Sequence, residues 1–92
     1  MIKTFAHKRM ERFFSYGEKT GLPNQYLPRL ARLLDRLNSA TEPRDMNLPG
    51  FGFHELRGNR KGTYSVKVSG NWRLTFRFEA GHAFDINLED YH

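Results

Sequence analysis

Ninety-two residues suffice for one hydrophobic core and are too few for two, so the chain reads as a single domain spanning residues 1–92. Apolar residues at 38% and charged residues at 27% exclude a low-complexity chain, and the lack of cysteine excludes disulfides, thiolate metal sites and cysteine nucleophiles. Fifteen Lys and Arg against ten Asp and Glu leave a formal charge of +5, a balance that attracts phosphate polyanions or an acidic protein.

Ile2 to Phe5 is short, partly alternating and bounded by polar residues, the pattern of an initial strand. Met10, Phe13 and Phe14 share one helical stripe, which Gly17 is placed to end. Tyr26, Leu30, Leu33, Leu34 and Leu37 repeat that spacing, with Pro23 and Pro28 near the start, so a longer helix is predicted to run to about Ser39 and to form an antiparallel hairpin with the first. Thr41 is predicted to cap one further turn before Pro49 and Gly50. Lys8, Arg9, Glu11 and Arg12, like Arg29, Arg32, Asp35 and Arg36, read as solvated helix faces.

After Gly50 the period changes to alternation. Tyr64, Val66 and Val68 form one apolar row, Trp72, Leu74, Phe76 and Phe78 a second, and Phe84, Ile86 and Leu88 a third, with hairpin signals at Ser69-Gly70-Asn71 and Ala80-Gly81-His82. Three antiparallel strands are predicted to press this apolar face onto the helices and to display Thr63, Ser65, Lys67, Arg73, Thr75, Arg77, Asp85 and Asn87 on the other. The fold class is α+β, with an N-terminal strand and helical hairpin on one face of an antiparallel sheet.

Charge is concentrated in the sheet half. Arg57, Arg60, Lys61, Lys67, Arg73 and Arg77 occur without an intervening acid, whereas Glu79, Asp85, Glu89 and Asp90 follow without a cation. His7, His54, His82 and His92 are isolated, with no pair at helical spacing, so no metal site and no cofactor are expected, and neither Gly50-Phe51-Gly52 nor Gly58-Asn59-Arg60-Lys61-Gly62 completes a nucleotide loop. Metal-free RNA cleavage needs only to move the 2′-hydroxyl proton, stabilise charge on phosphorus and protonate the leaving oxygen, tasks open to imidazole and guanidinium groups. The segment His54–Arg60 holds both, with Arg73 in the sheet and Tyr91-His92 at the end. On residues alone each keeps a second reading: His54 as a hydrogen-bonded strand-end histidine, Arg57 and Arg60 as a solvated turn, Arg73 as a surface cation, and Glu89 to His92 as a fraying tail.

The segments MIK-F-HK at the start, A-T-x-x-x-D-x-N-L-P-G-F from Ala40 to Phe51, H-x-L-x-G-x-R-x-G from His54 to Gly62, N-W-R-x-T-F-x-F from Asn71 to Phe78 and N-x-E-D-Y-H from Asn87 to His92 together resemble the HigB-type toxins of the RelE/ParE superfamily. The resemblance implies a RelE-like fold and a bacterial, cytoplasmic type II toxin that cuts translated mRNA in the ribosomal decoding site. It implies silencing by a HigA-type helix-turn-helix antitoxin, with operator DNA met only through that partner and no membrane association. Carried over by position, it assigns catalysis to His54, Arg57, Arg73, Asp90, Tyr91 and His92, with Arg57 standing where relatives often have lysine and suited to electrostatics rather than proton transfer. Arg60, Lys61, Lys67 and Arg77 are the candidate RNA or ribosome contacts. A ParE-type gyrase poison, which needs no catalytic histidine, and a non-catalytic RNA-binding module are the alternatives.

Overall fold

Leucines at helical spacing and β-branched or aromatic residues at alternating spacing bury one face of each element, and the chain satisfies both by laying helices on a sheet. The computed structural model describes residues 1–90. Helix α1 spans Lys8–Tyr16 and α2 spans Leu27–Ser39, and strands β1 (His54–Glu55), β2 (Thr63–Ser69), β3 (Trp72–Glu79) and β4 (His82–Asp90) form an antiparallel sheet in the order β1-β2-β3-β4. Leu30, Leu33, Leu34 and Leu37 of α2 join Met10, Met46, Val66, Leu74, Phe76 and Ile86 in the core.

Gly17 ends α1 in the left-handed conformation at φ 73°, where its N–H donates to the Phe13 carbonyl (2.9 Å). At the other end, the Met10 N–H donates to Nδ1 of His7 (3.2 Å), so the cap requires an unprotonated ring nitrogen. Burial, opposed by a backbone hydrogen bond at His7 and reinforced by the Arg9 charge, holds this imidazole below its ordinary value. The unfolded ring titrates at about 6.5 and the folded ring lower, so the cap's contribution is complete above that pH and is lost as pH falls through the folded value. Thermal melts between pH 7.5 and 5.5 should therefore show a stability loss of about 1 kcal/mol at most, abolished in His7→Asn.

The turn predicted after α2 is a 3-10 turn at Pro43–Met46, but Glu42, not Thr41, is its N-cap residue. The Asp45 carboxylate reaches back to accept the Thr41 and Glu42 N–H groups (3.0 and 3.2 Å) and the Thr41 hydroxyl, which consequently acts as a donor. Arg29 also departs from its expected solvated role. Its guanidinium donates to the carbonyls of Gly50 (2.8 Å) and Lys67 (2.9 Å) and lies over the Phe51 ring, tying the segment before β1 to β2.

The hairpins turn where predicted, at Gly70-Asn71 and Ala80-Gly81, with Ser69 opposite Trp72 and Glu79 opposite His82. One phase error appears in β4. Thr75 pairs with Asn87 but Arg77 pairs with Phe84, so Phe76 alone faces both Asp85 and Ile86, and Asp85 takes φ 54°. This bulge turns Ala83 into the core and puts Phe84 in register with Arg77 on the polar face, overturning the expected inward Phe84. The expected N-terminal strand is reduced to two isolated parallel bridges, Ile2 to Ala83 and Phe5 to Ile86. Thr4 explains the interruption: its hydroxyl accepts the Asp85 N–H (2.8 Å) and its carbonyl accepts the Ile86 N–H (3.1 Å), so this segment follows the bulge instead of a regular ladder. The short β1 adds a fourth strand to the three predicted.

Candidate functional site

The short β1 places the first functional group. His54 and Glu55 pair with Ser65 and Tyr64 of β2, and the buried Leu56 extends the connection by donating its N–H to the Thr63 carbonyl (2.8 Å). The basic residues between them and β2 form a closed turn, because the Glu55 carboxylate accepts the Gly62 N–H (2.9 Å) and Gly58–Arg60 make a 3-10 turn. His54, Glu55, Leu56, Arg57 and Arg60 thereby line one open cleft of about 420 Å³.

Within it, Nδ1 of His54 lies 3.2 Å from the Gly52 carbonyl oxygen. A carbonyl oxygen only accepts, so this nitrogen carries the hydrogen and, in the neutral ring, Nε2 keeps its lone pair. The same loop approaches Arg73: a Cβ built on Gly52 would stand 3.8 Å from Arg73 Nη1 and 3.5 Å from Lys67 Cβ. Thus Arg73, at sequence distance from the histidine, comes beside the loop that orients it. Lys67, Arg73 and Glu89 form one cross-strand row; His54, Ser65, Thr75 and Asn87 form the next. Ser65 Oγ in that second row is buried and has no hydrogen-bond partner among the described residues.

The polar face continues into a second cleft of about 240 Å³ lined by Arg60, Thr63, Thr75, Arg77, Asp85, Asn87 and Glu89 together with Ala6. Arg60 is common to both clefts and donates both terminal nitrogens to the Glu89 carboxylate (2.8 and 2.6 Å), which also accepts the Thr75 hydroxyl (2.6 Å). The Arg60 hydrogen bonds hold the Glu89 carboxyl below the ordinary range, with burial opposing and Thr75 assisting. Thr75 and Ser65 are nevertheless almost inaccessible, so the polar face has a buried floor that simple alternation did not indicate.

Of the sequence-predicted site residues, the fold brings His54, Arg57 and Arg60 into one cleft, with Arg73 and Lys67 beside Gly52 and Arg77 in the second cleft. Lys61 lies with Glu55, Arg57 and Gly58 around another hollow of the turn. Asp90 ends β4 opposite Trp72, while Tyr91 and His92 lie outside the described residues. Among the described residues, no three His, Asp or Glu side chains are grouped to hold a metal ion, and no helix is long and apolar enough to cross a membrane. Glu89 and Thr75 were not singled out for the site; their signal was an acid and a hydroxyl sharing the face of Arg73, visible only once the strands were registered.

Residues 3–92 match the family model described as a RelE-like toxin of type II toxin-antitoxin system HigB. The chain is 40% identical over 92 residues to Endoribonuclease HigB of Proteus vulgaris, covering 100% of each protein. It is 31% identical over 93 residues to Toxin HigB-1 of Vibrio cholerae serotype O1, covering 99% of this chain and 98% of that one. In architecture it is similar to a chain of a YoeB-YefM complex from Staphylococcus aureus, with a TM-score of 0.62 at 16% identity over 100% of this chain and 98% of the other. A full-length match in sequence, joined to two helices on a four-stranded antiparallel sheet, establishes that the chain belongs to the HigB-type toxins of the RelE superfamily.

Proposed function

We propose that this toxin is a metal-independent endoribonuclease that cuts mRNA in the ribosomal decoding site, using residues 1–92 as one catalytic domain. The observation that carries the reading is His54: its Nδ1 faces the Gly52 carbonyl, so in the neutral ring Nε2 keeps the lone pair that a base needs, in a cleft lined by Arg57 and Arg60, with Arg73 alongside the Gly52 loop. The activity in the name of the Proteus vulgaris relative supports it.

In the proposed reaction His54 Nε2 removes the ribose 2′ proton, and the 2′ oxygen forms a bond to phosphorus as the bond to the 5′ oxygen breaks. The products are a cyclic phosphate and a 5′-hydroxyl, and His92, the other histidine of the proposed proton-transfer pair, is the candidate donor of its proton. Arg73 and Arg57 stabilise the charge gathering on the phosphate oxygens, which fixed guanidinium donors do without reorganisation. Asp90 and Tyr91 orient the terminal cluster and the nucleotide. Lys61, Lys67 and Arg77 supply the flanking positive field that draws RNA or ribosome onto this face. The protein acts in the bacterial cytoplasm and is neutralised by a HigA-type helix-turn-helix antitoxin, which alone contacts operator DNA; the toxin-antitoxin family description and the two-protein composition of the YoeB-YefM complex support such a partner.

Primer extension on ribosomes programmed with mRNA tests this reading. The wild type should give discrete cuts in the decoding codon, and His54→Ala should lower their rate by about 10²–10⁴-fold, the range for removing a general base. Gyrase inhibition at concentrations that leave ribosome-bound mRNA whole would replace the nuclease reading with the ParE-type one.

A further inference from the structure

Glu89 departs in kind from the cations around it. It stands opposite Arg73 in the β3–β4 register and, with Glu55 of the first cleft and Asp85 of the second, is one of the acids on a face whose arginines and lysines favour RNA. A surface shaped only to attract phosphate would be better served by a neutral residue there. The carboxylate is instead committed to the protein: Arg60 donates to both of its oxygens, and the Thr75 hydroxyl donates to Oε2. The Glu89 side chain is 20% exposed against 43% for Arg60, which places the acid at the floor and the guanidinium above it.

The geometry says what this bond controls. Arg60 ends the 3-10 turn that begins after Arg57, and its N–H donates to the Arg57 carbonyl (3.3 Å). The opposite side of the loop is already fixed by the Leu56 and Gly62 hydrogen bonds. Glu89 therefore supplies a second anchorage, from β4 across Thr75 of β3 to the loop, and joins elements separated by 29 residues of sequence. A guanidinium whose two terminal nitrogens face a seated carboxylate offers that planar fork to an incoming phosphate only after displacing it.

Resting on the reading of this cleft as the nuclease site, we infer that Glu89 is a positioning residue for RNA cleavage: it fastens Arg60 to the sheet, so that Arg57 and not Arg60 meets the phosphate. This revises the expectation that Arg60 is a direct RNA contact.

The test combines turnover on mRNA-programmed ribosomes with the salt dependence of binding to a single-stranded RNA oligonucleotide. Glu89→Gln should lower kcat about tenfold with KM within about twofold, as expected when the bound geometry rather than the attraction is lost. Exchanging the pair, Arg60→Glu with Glu89→Arg, should recover most of kcat. Arg60→Gln should leave the slope of log affinity against log salt unchanged, whereas Arg57→Gln should reduce it by about 0.7, the value for one phosphate contact on a single strand. Wild-type kcat in Glu89→Gln, or a slope reduced by about 0.7 in Arg60→Gln, overturns the inference. Should Glu89→Gln fail to fold, the exchanged pair and the Arg60→Gln slope still decide it. Absence of cleavage by the wild type overturns the nuclease reading instead, while the two slopes continue to report which arginine meets phosphate.

Discussion

Arg73→Ala should reduce the rate of RNA cleavage by about 10²–10³-fold, the effect of deleting one preorganised donor to a transition-state oxyanion. The expectation follows from where the arginine is fixed. It lies within β3, between two hydrogen-bonded neighbours, in the same cross-strand row as Lys67 and Glu89, and its guanidinium reaches the Gly52 loop that orients His54. A cation on such a support need not be gathered from solvent as charge develops on the phosphate. Arg73→Lys should recover only part of the rate, because an ammonium keeps the charge but loses the planar fork. Single-turnover cleavage on programmed ribosomes, with melting curves to verify folding, measures both. A Lys variant as fast as the wild type would reduce the role of Arg73 to charge alone, and an Ala variant as fast would remove Arg73 from the reaction.

The largest expected stability effect is that of Phe76→Ala. Phe76 is fully buried on β3, and its ring lies 6.1 Å from that of Tyr64 and 5.9 Å from that of Phe78. It is also the residue that faces two partners at the β4 bulge, so neighbouring strands are poorly placed to collapse into the space it leaves. A truncation of this kind costs about 3–5 kcal/mol. For a domain of this length, total stability is on the order of 5–14 kcal/mol, so the variant should retain only part of its folding margin. Calorimetry should show a Tm lower by about 15–30 °C. A loss under about 1 kcal/mol would mean that the sheet repacks around the bulge, contrary to the geometry described.

The elements legible in the sequence were those whose signal is local. Leu30, Leu33, Leu34 and Leu37 sit on α2 facing the core because helical spacing alone puts them on one stripe, and Val66, Val68, Leu74 and Phe76 reach the core as their alternation predicts, although Ser65 and Thr75 of the opposite rows are buried too and the β2–β3 register shifts between Lys67 and Ser69. Phe84 failed because one extra residue at Asp85 reverses the phase, and a bulge leaves no mark in a pattern of alternate apolar residues. Arg29 failed because its partners are carbonyls of Gly50 and Lys67, brought to it only by the tertiary fold.

The candidate site divides in the same way. His54, Arg57 and Arg73 were identifiable as residues able to handle protons and phosphate, and the resemblance of the surrounding segments singled them out. Their convergence depends on β1 pairing beside β2 and on the Gly52 loop passing Arg73. The ring nitrogen that carries hydrogen in His54 depends on a carbonyl two residues away and is set by loop conformation. Glu89 reads as one more acid in a terminal run until the register lays it across the sheet from Arg60.

The first six residues have a protective consequence. The backbone of Met1 to Ala6 exchanges hydrogen bonds with Ala83 and Ile86 along the outer side of β4. This ribbon occupies the rim on which another chain would otherwise template an added strand, and at the opposite rim β1 is only two residues long. Long unpaired rims are the places where sheets join into aggregates. The segment Met1 to Ala6 thus covers the border of the sheet most prone to indiscriminate self-association.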